Sequence, residues 1–307
     1  MDQAATLRLQ TAKKNTIAGK GKKNDREKKG EGKSNKNRKT PRVIAVTSGK
    51  GGTGKTNVVA NLAYALSLAG EKVMILDADL GLGNMDILLG ITSKYTIQDI
   101  LKGRRNLSEV IIEGPEGIKI LPAGSGIQEL SHLSEGEKLN LMAEFDLFED
   151  EIDTFLIDTG AGISSNVMYF NVMAQEIIVV LSPEPTSITD AYAIMKVLST
   201  KYSETHFKLL VNEVKNERSA LVVYNNICNV ADKFLNISID FLGYITHDEN
   251  VPKAVMQQTM VLQQYPDSPA SKCFTSLAEK LKKNPPAKEP KGSIQLFWHR
   301  LLDGMGA

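Results

Sequence analysis

The chain has 307 residues, with 37 Lys plus Arg against 36 Asp plus Glu and a formal net charge of +1. Residues 1–41 hold thirteen basic and four acidic side chains, a net of +9 that leaves −8 for the remainder, so a basic arm joins a mildly acidic globular body. Two Cys exclude a disulfide scaffold and suit a reducing cytosol, and four scattered His at no ligand spacing argue against structural zinc. With no apolar run near ~18 residues and no N-terminal apolar h-region, a membrane span and a secretory leader are not expected.

The arm opens with a helix-compatible stretch, Asp2 to Gln10, and continues from Lys13 to Lys39 as a Lys, Gly and Asn-rich segment with Ile17 as its only large apolar residue. Such a segment buries too little surface to offset ordering entropy and is predicted to be disordered. From Arg42 onward the pattern alternates. Strands are predicted over Val43–Val46, Val73–Leu76, Phe155–Ile157, Ile177–Leu181 and Phe207–Val211; helices over Lys55–Ala69, Lys138–Glu151, Ser164–Ala174, Thr189–Lys201 and Glu217–Phe234. Several strands are apolar throughout, as in a parallel sheet covered on both faces, so the expected fold is a doubly wound α/β domain over 42–283. Pro285, Pro286 and Pro290 then mark a linker, within a terminal region of 284–307.

The first strand runs into Gly49-Lys50-Gly51-Gly52-Thr53-Gly54-Lys55-Thr56 and then a helix, satisfying G-x-x-x-x-G-K-[ST] in its strand–loop–helix context. Glycines let successive backbone N–H groups surround phosphate, and the helix N-terminus adds donors and partial positive charge. Lys55 would reach the β and γ phosphates of a bound nucleotide, and the Thr56 hydroxyl would bind Mg²⁺. No His or Cys nucleophile is needed, because phosphoryl transfer rests on positioning and charge neutralisation.

With Lys50 inside the loop, the chain resembles the MinD/ParA/Mrp family of dimerising P-loop ATPases over 42–265. The resemblance implies a SIMIBI-type, MinD-like sheet and an ATP-dependent homodimer in which Lys50 reaches the partner's phosphates. It implies that Asp79 orients the attacking water, that Asp158 holds Mg²⁺ through water and that Gly160 senses the γ-phosphate. Asn212 would read adenine. The implied catalytic set is thus Lys50, Lys55, Asp79 and Asp158, the nucleotide set Gly49 to Asn57 with Gly160 and Asn212, and the metal set Thr56, Asp79 and Asp158. Asp77 stays open between supporting Mg²⁺ and orienting its turn. Residues Ile245 to Val251 depart from the family pattern by lacking a Pro before the acidic pair, which puts backbone contact to adenine there in doubt.

Asp79 to Asp86, Glu184 to Tyr192 and the start Asp2-Gln3-Ala4-Ala5-Thr6-Leu7-Arg8 are similar to the flagellar-number regulators, the FlhG/FleN branch. In that branch the N-terminal element, here Asp2, Gln3, Ala4, Leu7 and Arg8, acts on an FlhF-like GTPase; C-ring components or a flagellar transcription regulator are further implied partners. Near the other terminus Ile294, Phe297, Trp298, Leu301 and Leu302 share one helical face. By resemblance that face docks on the inner membrane from the cytoplasm when ATP is bound; a helix packed on its own domain stays open. A ParA/MinD-like partitioning or division-site ATPase is the alternative function. The Lys-rich arm is expected to be a solvated tether rather than a DNA grip.

Overall fold

The computed structural model describes residues 41–79, 85–122, 134–149 and 151–284. Its strands are β1 Arg42–Ser48, β2 Val73–Ala78, β3 Ile112–Glu113, β4 Lys119–Pro122, β5 Thr154–Ala161, β6 Glu176–Leu181, β7 His206–Val214 and β8 Ser238–Thr246. They form one sheet in the order β3-β4-β2-β5-β1-β6-β7-β8. Only β3 pairs antiparallel, with β4; the other pairings are parallel. The helices are α1 Lys55–Leu68, α2 Met85–Leu89, α3 Ile97–Leu101, α4 Leu107–Val110, α5 Glu135–Glu149, α6 Ser165–Met173, α7 Pro185–Tyr202, α8 Glu217–Phe234, α9 Asn250–Met256, α10 Val261–Gln264 and α11 Pro269–Lys283.

Both faces of the sheet are covered, which explains the apolar runs. In β1, Ile44 and Val46 join a core with α1, α2 and α9 to α11, whereas Val43 and Ala45 join one with α3 to α6. A third cluster lies under α6, α7 and α8 against β6 and β7. The chain lays β2 to β5 on one side of β1 and β6 to β8 on the other. The crevice at the carboxyl end of β1 is therefore a topological switch point, where open α/β sheets take their ligands.

The doubly wound, mostly parallel architecture is as expected, and each strand and helix predicted between residues 42 and 283 has its counterpart. Two strands longer than β3 had no prediction, β4 and β8. The first is four residues ending in proline, and the second is a half-exposed edge strand. Asn212 does not end its strand: β7 continues to Val214 through a register break, with Glu213 at φ 59°. The predicted partner residues Asp2, Gln3, Ala4, Leu7 and Arg8 and the predicted membrane residues Ile294, Phe297, Trp298, Leu301 and Leu302 lie outside the described residues, as do Leu80 to Asn84. No helix among the described residues is long and apolar enough to cross a membrane.

Candidate nucleotide-binding site

The loop between β1 and α1 is shaped by two separate demands for glycine. Gly52 and Gly54 hold φ of 80° and 79°, left-handed values that a side chain disfavours. Gly49 instead answers to space, because a Cβ there would stand 2.2 Å from the Asp190 backbone carbonyl carbon in α7. Gly54 is constrained on both counts, its Cβ position lying 2.4 Å from Asn212 Nδ2. That amide donates to the Thr53 carbonyl at 2.9 Å, tying β7 to the loop.

Lys55 is buried at the head of α1 and donates to Asp158 Oδ1, itself buried at the carboxyl end of β5. Burial pushes the Asp158 carboxyl up, opposed by the charge and hydrogen bond of Lys55. The Thr56 hydroxyl also stabilises the carboxylate, yet Oδ2 has no geometrically complete hydrogen bond and is fully enclosed. Thr53 Oγ1 is likewise buried without a partner. Buried polar atoms are rarely left so, and an orphaned carboxylate oxygen beside a hydroxyl is the donor chemistry a hard divalent cation takes. The residues present therefore fit Mg²⁺.

Asp77 and Asp158 are register partners on β2 and β5. Burial, then the Asp158 charge, push Asp77 up to about 7, against N–H groups of Asp79 and Met85 and the charge of Lys55. Asp79 stands over the next strand, its Oδ1 3.7 Å from where a Cβ of Gly160 would lie. Lys50 turns outward: its Nζ donates to Glu184 Oε2 at 3.0 Å and Thr186 Oγ1 at 3.2 Å, at the start of α7.

Beside the loop opens a cavity of about 410 Å³ that takes in Gly54, Asn57 and Asn212. Thr246, His247 and Asp248 line it too, so the segment lacking the expected proline still reaches this wall, and Pro252 stands there as well. Asp248 holds the wall in place by accepting from Asn250 N at 2.9 Å and Ala270 N at 3.0 Å. Val58, Val255 and Phe274 give the cavity apolar sides suited to a flat ring. Sequence reasoning missed those three, since no motif links residues so far apart. It also passed over what Glu184, Thr186 and Asp190 do, although the segment containing them was singled out.

A phosphate-shaped loop with an inner lysine, at the switch point of a sheet in this order, defines a P-loop nucleotide hydrolase of the MinD/ParA type. A family model described as 4Fe-4S iron sulfur cluster binding proteins, NifH/frxC family, matches residues 42–302. Antiactivator FleN of Pseudomonas aeruginosa is 43% identical over 260 residues, 85% of this chain and 93% of the relative. The flagellum site-determining protein YlxH of Helicobacter pylori is 32% identical over 274 residues, 88% and 92% of the two chains. Among solved structures, the septum site-determining protein MinD of Pyrococcus horikoshii complexed with Mg-ADP superposes with a TM-score of 0.62 at 26% identity, covering 79% of this chain and 96% of that one. The chain belongs to the NifH–MinD/ParA family of P-loop ATPases and, within it, to the FleN/FlhG type.

The iron–sulfur part of that family description does not fit the residues here. Clusters are held by converging cysteine thiolates. Cys228 lies on α8, where burial raises its thiol despite a hydrogen bond with Tyr224, whereas Cys273 lies on α11 beside the Thr246 hydroxyl.

Proposed function

We propose that this protein is an ATP-hydrolysing switch that dimerises with ATP and regulates flagellar number and placement. The observation that carries the chemistry is the buried Lys55–Asp158 pair with its orphaned oxygen, at the end of a loop whose N–H groups precede Lys55 in sequence. Those N–H groups and Lys55 bind the phosphates, and Lys55 leaves Asp158 for the nucleotide when it does so. Thr56 and Asp158, with Asp79 beside them, would hold Mg²⁺, which when bound would neutralise phosphate charge. Asp79 orients the attacking water, and Gly160 leaves room for the γ-phosphate that Asp79 overlooks. Asn212, its amide nitrogen committed to the loop, offers its carbonyl oxygen to the base. Lys50 leaves Glu184 and Thr186 to complete the partner's site, so turnover is slow until two copies meet.

The regulatory role rests on kinship with an antiactivator and a flagellum site-determining protein. The N-terminal element would act on an FlhF-like GTPase, while C-ring components or a flagellar transcription regulator would be further targets. Kinship with an antiactivator supports the transcriptional arm. The segment bearing Ile294, Phe297, Trp298, Leu301 and Leu302 would place the ATP-bound dimer on the cytoplasmic face of the inner membrane. The test is Asp79→Ala: it should retain mant-ATP binding and accumulate as a dimer in size-exclusion chromatography, with hydrolysis down by about a hundredfold or more. Hydrolysis at the parent rate would remove Asp79 from the mechanism.

A further inference from the structure

We infer that Asp77 is a positioning residue that ties the backbone at Asp79 to the backbone at Met85, and is not a magnesium ligand. The inference deepens the ATPase reading and rests on it. Asp77 closes β2 deep in the fold and is buried. Its Oδ1 accepts the backbone N–H of Asp79 and its Oδ2 that of Met85, each at 3.3 Å. One carboxylate thus grips the chain on both sides of residues 80–84. Met85 is a fixed point, since its side chain is buried in the core at the first residue of α2. Asp79 is the residue whose position matters, because its carboxylate must stand over Gly160.

The choice of an ionisable group for this task has a visible cost. Asp77 faces Asp158 across the strand register, and Lys55 hydrogen-bonds Asp158 rather than Asp77. A neutral Asn would avoid that repulsion, but it presents one acceptor oxygen and a donor NH₂, so it cannot accept both straps. Two acceptor oxygens on a short side chain are what the two N–H groups require. Both oxygens already accept from backbone donors, whereas the enclosed, unpaired oxygen belongs to Asp158.

The experiment compares full-length parent, Asp77→Asn, Asp79→Ala and the double variant. Three quantities are read: the Kd for mant-ADP across a Mg²⁺ titration, kcat for ATP, and hydrogen exchange at the Asp79 and Met85 amides. In Asp77→Asn those amides should exchange at least about tenfold faster and kcat should fall about tenfold. The Mg²⁺ dependence of mant-ADP binding should stay within about twofold, and the double variant should be no slower than Asp79→Ala. A tenfold weaker Mg²⁺ dependence would make Asp77 a ligand, and unchanged kcat despite loosened amides would leave the straps idle; either overturns the inference. Should the variant not fold, unprotected Asp79 and Met85 amides in the parent overturn it equally. A parent that binds no mant-ADP defeats the ATPase reading itself, a result distinct from a parent that binds and turns over beside an Asp77→Asn variant that matches it.

Discussion

At the carboxyl ends of the strands, Lys55 and Asp158 share a buried pair that leaves one carboxylate oxygen unused, and Asp77 beside it is pushed up to about 7. At the amino ends of the same sheet, Glu176 is also buried but fully engaged: Arg42 grips it through Nε and Nη2, and Lys208 donates to it from β7. Burial works against the Glu176 charge, yet Arg42 and then Lys208 outweigh it and hold the carboxyl below its ordinary 4.5. Arg42 also donates to the carbonyls of Leu281 and Asn284, fastening the end of α11. One cluster is complete without a ligand and the other is not. The incomplete one lies at the switch point, where a nucleotide and Mg²⁺ would finish it.

The strongest way to break this contrast is Lys55→Ala. It removes one partner of a buried pair and should cost about 3–5 kcal/mol, with less lost as pH falls because burial raises the Asp158 carboxyl. Mant-ATP binding should vanish as well, and urea unfolding at two pH values with a binding titration checks both. Arg42→Ala should cost about 1.5–3 kcal/mol, since Lys208 still pairs with Glu176, while mant-ATP affinity stays within about twofold. Loss of affinity there would mean that the two ends are coupled.

A pH series sharpens the comparison. Because the folded Glu176 carboxyl is depressed, its stabilisation is present above about 4.5 and lost as pH falls toward the folded value. Glu176→Gln should therefore flatten the acid limb of the stability curve measured by thermal melts, leaving ATP turnover near neutral pH unchanged. The smallest stability effect belongs to Lys50→Ala. Its pair with Glu184 is at the surface and worth about 0–1 kcal/mol. Turnover should nevertheless fall by about a hundredfold or more if Lys50 serves the partner's site, which an ATPase assay across protein concentration would read.

Much of the fold was legible because parallel strands buried on both faces need unbroken aliphatic runs, and β1, β2, β5, β6 and β7 contain them. β8 escaped notice since an edge strand exposes every other residue: Ser238 and Asp240 interrupt Ile239 and Phe241, and Gly243 follows. β4 is too short to show a period. The phosphate loop was legible for another reason: its shape is a matter of backbone and glycine over eight consecutive residues, so local spacing carries the geometry.

What the linear chain determined by itself is therefore the loop, the five central strands with five of the helices that follow them, and the family that these imply. Tertiary structure alone decided which distant groups meet. Asn212 reaches Thr53 across 159 positions, Lys50 finds Glu184 across 134, and Arg42 brings together Glu176 and the end of α11. It also decided that Asp77 spends both oxygens on backbone N–H groups while Asp158 keeps one unpaired. The physical reason is that backbone conformation and apolar periodicity are local properties. Burial, charge pairing and the saturation of hydrogen bonds exist only once the sheet has closed around them.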